Sequence, residues 1–211
     1  MVNIFDFGVR GFQPRTFIVD PTHTSATIRS EDAAHRGRVG REERGLLPFL
    51  MPSITIRPAS PADVPLIRSL IKELAEYEQD PEAAKATDQQ LHEAHFGPRP
   101  IAESLIGEVD GVAQGFALYF HNFSTWTGKK GIHLEDLFVR PTSRGVGLGK
   151  ALFLEVARVA HERGCARLEW AVLDWNTPAI DFYKSMNANA MDEWTTFRLN
   201  DAGLSALARA K

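Results

Sequence analysis

The sequence predicts an α/β fold of the α+β kind: a mixed, mostly antiparallel sheet with helices on both faces. Three observations point there. The run Ile132 to Val139 is apolar and β-leaning, is stopped by Pro141, and leads through the glycine-rich Arg144 to Gly149 into Leu148, Leu152, Val156 and Val159 at helical spacing, giving the order strand, turn, helix. Two further apolar runs meet at Asp110-Gly111, a type I′ hairpin signal. Val64, Ile67, Leu70, Ile71 and Leu74 form one apolar helical stripe.

In chain order, a strand is expected at Ile54 to Arg57 and a helix from about Pro61 to Tyr77. A second helix should run from Asp88 to about Phe96, capped by Thr87 or Asp88. The hairpin strands span roughly Ile101 to Val109 and Ala113 to Phe120. The central strand and the helix to Arg163 follow, then a strand from Arg167 to Leu173, a helix from Pro178 to Met186 and a last strand from Glu193 to Leu199. No internal repeat or low-complexity segment occurs.

The strand, glycine turn and helix are what seats a phosphate. Glycines let backbone N–H groups face inward, the helix N-terminus offers unpaired donors and positive dipole, and Arg144 adds charge. Two familiar loops fail on spacing. A Walker A loop needs Gly-Lys-Ser/Thr, but Lys150 precedes Ala151; a Gly-x-Gly-x-x-Gly fingerprint meets Leu152 counted from Gly147 and Leu148 counted from Gly145.

The spacing that fits is Arg-x-x-Gly-x-Gly at Arg144, Gly147 and Gly149. Here the sequence resembles the GNAT acyl-CoA N-acetyltransferases. Asp174-Trp-Asn-Thr-Pro-Ala-Ile-Asp-Phe-Tyr-Lys184 resembles the family's second signature, and Leu134-Glu-Asp-Leu-Phe-Val139 with Tyr119-Phe-His-Asn-Phe-Ser-Thr-Trp126 is similar to the spermidine/spermine (diamine) and thialysine acetyltransferase branch. The resemblance covers Ile54 to Leu199. It implies the GNAT fold, acetyl-CoA as co-substrate and a coenzyme wedged between two splayed central strands. It assigns the coenzyme to Leu137, Phe138, Val139, Arg144, Gly145, Val146, Gly147, Leu148, Gly149 and Lys150, and, along the pantetheine arm, to Asn176, Ala179 and Phe182.

Acetyl transfer needs a neutral amine, and a lysine-like amine of pKa ~10.4 is neutral in about one molecule in 2,500 at pH 7. Glu135 on the central strand is the first candidate base, directly or through water, if partial burial raises its pKa. Asp136 points to the opposite face of a regular strand and cannot share that role unless a bulge intervenes. It is assigned to substrate recognition or structural hydrogen bonding. Tyr183 aligns with the family's general acid, which protonates the leaving thiolate, and the resemblance implies a backbone N–H near Phe138 or Val139 as the oxyanion donor. Asn176 also suits a helix cap before Thr177-Pro178. Tyr77-Glu78 matches a pair that contacts polyamine in the resembling branch. Trp126 either closes the acceptor pocket or packs a loop. His133, where relatives tend to have an aromatic, reads as structural. Asn187 stands in place of a helix-ending Gly and tolerates the left-handed conformation needed there. Ser124-Thr125-Trp126 stands in place of an Asp-Pro-Trp run, a departure from the acceptor pocket of the polyamine enzymes.

Composition bounds the rest. The chain has 211 residues and 44% hydrophobic content, enough for one core. Of its 24 basic and 27 acidic residues, seven and six fall in the first 50, so the remainder is near −4 and nucleic acid is not favoured. No apolar run approaches the ~20 residues that cross a bilayer. The single Cys165 cannot form an internal disulfide and reads as a buried structural thiol in a reducing, cytoplasmic compartment; nothing beside it in sequence suggests an activated nucleophile. No metal site is read. Residues 1–50, with seven arginines and no lysine, have no periodic pattern and read as a disordered extension or a mis-assigned start, whose removal should leave activity intact; residues 51–211 form the domain. The function that follows is transfer of an acetyl group from acetyl-CoA to a primary amine of a diamine, polyamine or lysine-like amino acid, by direct attack in a ternary complex, in a two-fold homodimer. Alternatives are a protein or peptide N-acetyltransferase, or a non-catalytic acyl-CoA sensor.

Overall fold

The computed structural model describes Arg15–Phe17 and residues 52–210. It divides into two compact units, Met1–Trp170 and Ala171–Lys211. The expectation for residues 1–50 lies outside the described residues except at Arg15–Phe17, which forms strand β1.

The first unit is a six-stranded sheet in the order β1-β2-β3-β4-β5-β6. β2 is Ile54–Pro58, β3 Glu103–Val109, β4 Val112–Ser124, β5 Lys129–Val139 and β6 Leu168–Glu169. All neighbours are antiparallel except β5 and β6, so the sheet is mixed as expected. β3 turns into β4 at Asp110 and Gly111, both with positive φ, which is the type I′ geometry that Asp-Gly favours.

Helices lie on both faces. α1, Val64–Tyr77, places Ile67 and Leu70 in one buried cluster with Ile106, Phe116, Leu118 and Phe138. α2, Asp88–Phe96, opens with a reciprocal Thr87 and Gln90 capping box. α3, Leu148–Glu162, covers the other face: a Cβ at Gly107, one residue on from Ile106, would meet Leu148 at 2.8 Å and Leu152 at 3.1 Å. Alternation along β3 therefore separates the α1 and α3 sides.

Two strand expectations need correction. The strand expected at Arg167 to Leu173 shortens to the two residues of β6, whose ladder to β5 ends at His133 and Glu169. Among the described residues the outer edge of β5 from Leu134 to Val139 has no strand partner. The strand expected at Glu193 to Leu199 does not form. Its Trp, Thr and Phe residues favour a strand but find no ladder, and β-propensity without a partner does not fix one.

The second unit has α4, Thr177–Ser185, and α5, Asp201–Arg209, a helix the sequence reading did not place. Asn200 caps α5 by accepting from the Gly203 N–H at 3.0 Å. Asn187 ends the turn after α4 at φ 60, the left-handed geometry expected of it.

Candidate active site

The site begins with a fault in the sheet. Leu118 on β4 pairs with Asp136, but the next residue, Tyr119, pairs with Leu134. Glu135 is the extra residue of a β-bulge, so the strict alternation that put Glu135 and Asp136 on opposite faces does not hold. Asp136 shares the α1 face with its partner Leu118 and with Phe138, both in the α1 cluster. Glu135 lies beside His133, its Oε2 3.6 Å from Nε2, and His133 rests on the Phe120 ring at 5.1 Å. Both acids therefore belong to one side of the sheet.

The two differ in burial. The Glu135 side chain is 53% exposed, whereas Asp136 is the carboxyl that burial affects. Desolvation, with smaller contributions from the negative charges of Glu135 and Glu78, pushes Asp136 up to about 7. Glu78 caps α1, and burial raises its carboxyl as well. Three acids thus converge where α1 ends over the bulge. The burial that the sequence reading assigned to Glu135 falls on Asp136, because the bulge turns Glu135 outward. Such a carboxyl, half ionised near neutrality, is able to accept a proton from an ammonium group.

The glycine-rich loop follows β5. Gly145 and Gly147 have φ of 82 and 97, and Gly147 begins α3 without a side-chain cap, leaving the first helical N–H groups as donors. A Cβ at Gly149 would meet nothing nearer than Val139 Cγ2 at 3.7 Å, so the chain itself does not exclude alanine there. What this glycine keeps clear is space at the helix N-terminus, and uncapped donors around such a cradle fit a phosphate group. Arg144 donates from Nε to the Val139 carbonyl at 3.0 Å, and its guanidinium sits 4.5 Å from the Tyr77 ring centre and 5.9 Å from that of Phe138. The positive charge therefore stands between the loop and the end of α1. Phe138 and Leu148 are core residues, whereas Leu137, Val139, Val146 and Lys150 are not fully buried.

Trp126 stands apart. It is 91% exposed at the β4–β5 turn, and the six steps from Leu118 to Ser124 at ~3.3 Å each place that turn about 20 Å along the hairpin from Asp136. Among the described residues it neither packs a loop nor reaches the three acids.

In the second unit, Asn176 caps α4 by accepting from the Ala179 N–H at 3.4 Å, as its sequence context suggested. Phe182 and Tyr183 follow on α4 with ring centres 5.2 Å apart. Burial pushes the Tyr183 hydroxyl up to about 12. Proton transfer from it to a thiolate of pKa ~8.5 is then uphill by about 5 kcal/mol, more than the ordinary phenol value implies.

Cys165 is partly buried rather than buried, with Sγ 3.9 Å from His121 Nδ1. His121 follows Tyr119 by two residues on β4, on the α3 side, so the sheet separates this thiol from Asp136.

The profile of the Acetyltransferase (GNAT) family matches residues 67–188. The chain belongs to this family. The enzyme is therefore an acetyltransferase, and its relatives agree. It is 38% identical over 169 residues to a thialysine N-epsilon-acetyltransferase of Sus scrofa, covering 75% of this chain and 99% of the relative. It is 30% identical over 197 residues to an L-ornithine N5-acetyltransferase of Arabidopsis thaliana, covering 72% and 86%. Among solved structures, an integron cassette protein of V. cholerae superposes with TM-score 0.64 at 26% identity, over 74% of this acetyltransferase and 98% of that chain. An aminoglycoside N-acetyltransferase in complex with CoA shares the fold at TM-score 0.57 and 22% identity, over 70% and 95%. No helix of the described residues is long and apolar enough to cross a membrane.

The bulge, the Asp136 shift and the Arg144–Tyr77 contact were not legible beforehand. Two adjacent acids inside an apolar strand were the available hint, since a regular strand would send one of them into a core.

Proposed function

We propose that this acetyltransferase moves the acetyl group of acetyl-CoA to the primary amine of a small cationic acceptor: a lysine-like amino acid such as thialysine or ornithine, or a diamine. The observation that carries the reading is the convergence of Glu78, Glu135 and Asp136 on one side of the bulged strand, beside the phosphate-type loop. An acidic wall favours a substrate with more than one positive charge, and the thialysine and ornithine acceptors named for the relatives are of that kind.

The coenzyme would supply an activated thioester. Arg144, Gly145, Gly147 and Gly149, with the first N–H groups of α3, would hold its phosphates; for Asn176, Ala179 and Phe182 in the second unit, a role along its arm rests on the family resemblance alone. The edge of β5 from Leu134 to Val139, without a strand partner among the described residues, suits an amide-bearing chain and an oxyanion donor. Asp136 takes the ammonium proton, so that the amine lone pair is available for attack. As the new C–N bond forms the nitrogen gives up its second proton to solvent, the C–S bond breaks, and Tyr183 protonates the sulfur and is itself reprotonated from solvent. Glu135 and Glu78 hold the acceptor's charge and keep Asp136 basic enough to act. Direct attack fits the placement of Cys165 across the sheet. The reading extends to a homodimer, supported by the exposed Trp194, Phe197 and Leu199, and to the cytoplasm, supported by the absence of paired cysteines.

Initial rates with acetyl-CoA varied at several fixed thialysine or ornithine concentrations test this. Intersecting reciprocal plots are expected; parallel ones would overturn direct attack.

A further inference from the structure

Arg140 is the first residue after β5, and it turns back across the sheet. Nε donates to Glu73 Oε2 at 2.8 Å and Nη2 to Glu73 Oε1 at 2.7 Å, a two-point fork on α1. Nη1 donates to the Ala113 carbonyl on β4 at 3.0 Å, and the Arg140 backbone N–H donates to Gln114 at 2.9 Å. The Glu73 carboxyl is held below its usual range, chiefly by this arginine. Four residues further along each partner the contact repeats, with Arg144 over Tyr77. Glu73 and Tyr77 are one helical turn apart on α1, and Arg140 and Arg144 are equally spaced along the strap that becomes the phosphate-type loop. Glu78, the acceptor-side acid, comes directly after the second contact.

We propose that the Glu73–Arg140 pair is a positioning element of the reaction: it clamps the last turn of α1 to the strap, so that the coenzyme loop and the acceptor wall move as one piece. The inference rests on the acceptor site proposed above. Neither residue touches substrate; Arg140 acts through Glu73, and Glu73 through the helix turn that holds Tyr77 and Glu78. A fork with both side chains about 30% exposed remains partly dry and geometrically restrictive, unlike a freely moving surface pair. Without it, the acceptor wall would sample several positions, and a bound coenzyme would no longer order it.

The test uses the full chain as wild type, Arg140→Met, Glu73→Gln, and the exchanged pair Glu73→Arg with Arg140→Glu. In the Arg140→Met variant the acceptor KM should rise about fivefold while kcat and the acetyl-CoA KM stay within about twofold, and the exchanged pair should restore most of the loss. An unchanged acceptor KM, or parallel losses in all three constants together with a lowered Tm, would overturn the clamp and leave a purely structural ion pair. Hydrogen exchange gives a readout independent of turnover. Acetyl-CoA should slow exchange of the Leu74 to Gln79 amides in the wild type and not in Arg140→Met; equal slowing in both refutes the coupling. If the wild type releases no thiol with any amine, the acceptor reading fails instead, and the exchange arm still judges the clamp.

Discussion

Replacing Asp136 by Asn separates the two acids of the bulge. Burial and two neighbouring carboxylates raise Asp136 from 3.8 to about 7, which corresponds to about 4 kcal/mol against its charged form. In the wild type, kcat/KM should therefore climb tenfold per pH unit up to about pH 7 and then level off. Asp136→Asn removes the proton acceptor, so the rate at pH 7 should fall by roughly 10²- to 10⁴-fold. The residual rate should keep climbing towards the amine's own pKa of ~10.4, since solvent alone must then deprotonate the acceptor. Stability should move the other way. A carboxyl with a raised folded pKa contributes stability that is fully present below 3.8 and is lost as pH rises through about 7. At pH 8 the wild type holds a disfavoured charge that Asn lacks, so the variant should melt several degrees higher there, with little difference at pH 4. The assay is thiol release from acetyl-CoA between pH 5 and 10, with thermal melts at pH 4 and 8. A profile that still levels off at about pH 7 in Asp136→Asn, or that shows no break there in the wild type, would refute the assignment and return the role to Glu135.

Other consequences are as direct. Tyr183→Phe should lower kcat by roughly 10²-fold with the acetyl-CoA KM nearly unchanged, and because the hydroxyl is pushed up to about 12 the wild type should show no falling limb up to pH 10; a limb near pH 9 assigned to Tyr183 would contradict this. Gly107→Ala brings a Cβ to 2.8 Å from Leu148 and should cost about 1–3 kcal/mol by denaturant melts, through displacement of α3. At Asn187, with φ 60, Gly should be neutral or slightly stabilising, whereas Val should cost about 1–2 kcal/mol.

The elements that sequence revealed well are those whose partners are encoded locally. Asp110-Gly111 fixes a hairpin by its own backbone preferences, Thr87 with Gln90 caps α2 reciprocally, and the stripe from Val64 to Leu74 finds the sheet because only one of its faces is apolar. What failed depended on distant chain. Glu193 to Leu199 carries strand-favouring Trp, Thr and Phe residues, yet a ladder requires a neighbour that nothing local specifies. The bulge at Glu135 is a mismatch between two strands, invisible in either one, and it decides which acid is buried. The phosphate-type loop was legible through the spacing of Arg144, Gly147 and Gly149. That Arg144 and Arg140 both grip α1 was not, because the helix lies more than 60 residues away in sequence.

The most direct test of the account is free-thiol release from acetyl-CoA by the full chain, run in parallel with thialysine, ornithine, lysine, putrescine, spermidine, a neutral small amino acid and a peptide bearing one lysine. Turnover with one or more of the free dicationic amines, and little with the neutral amino acid or the peptide, is the predicted result. Turnover confined to the peptide, or none with any amine despite acetyl-CoA binding, would contradict it.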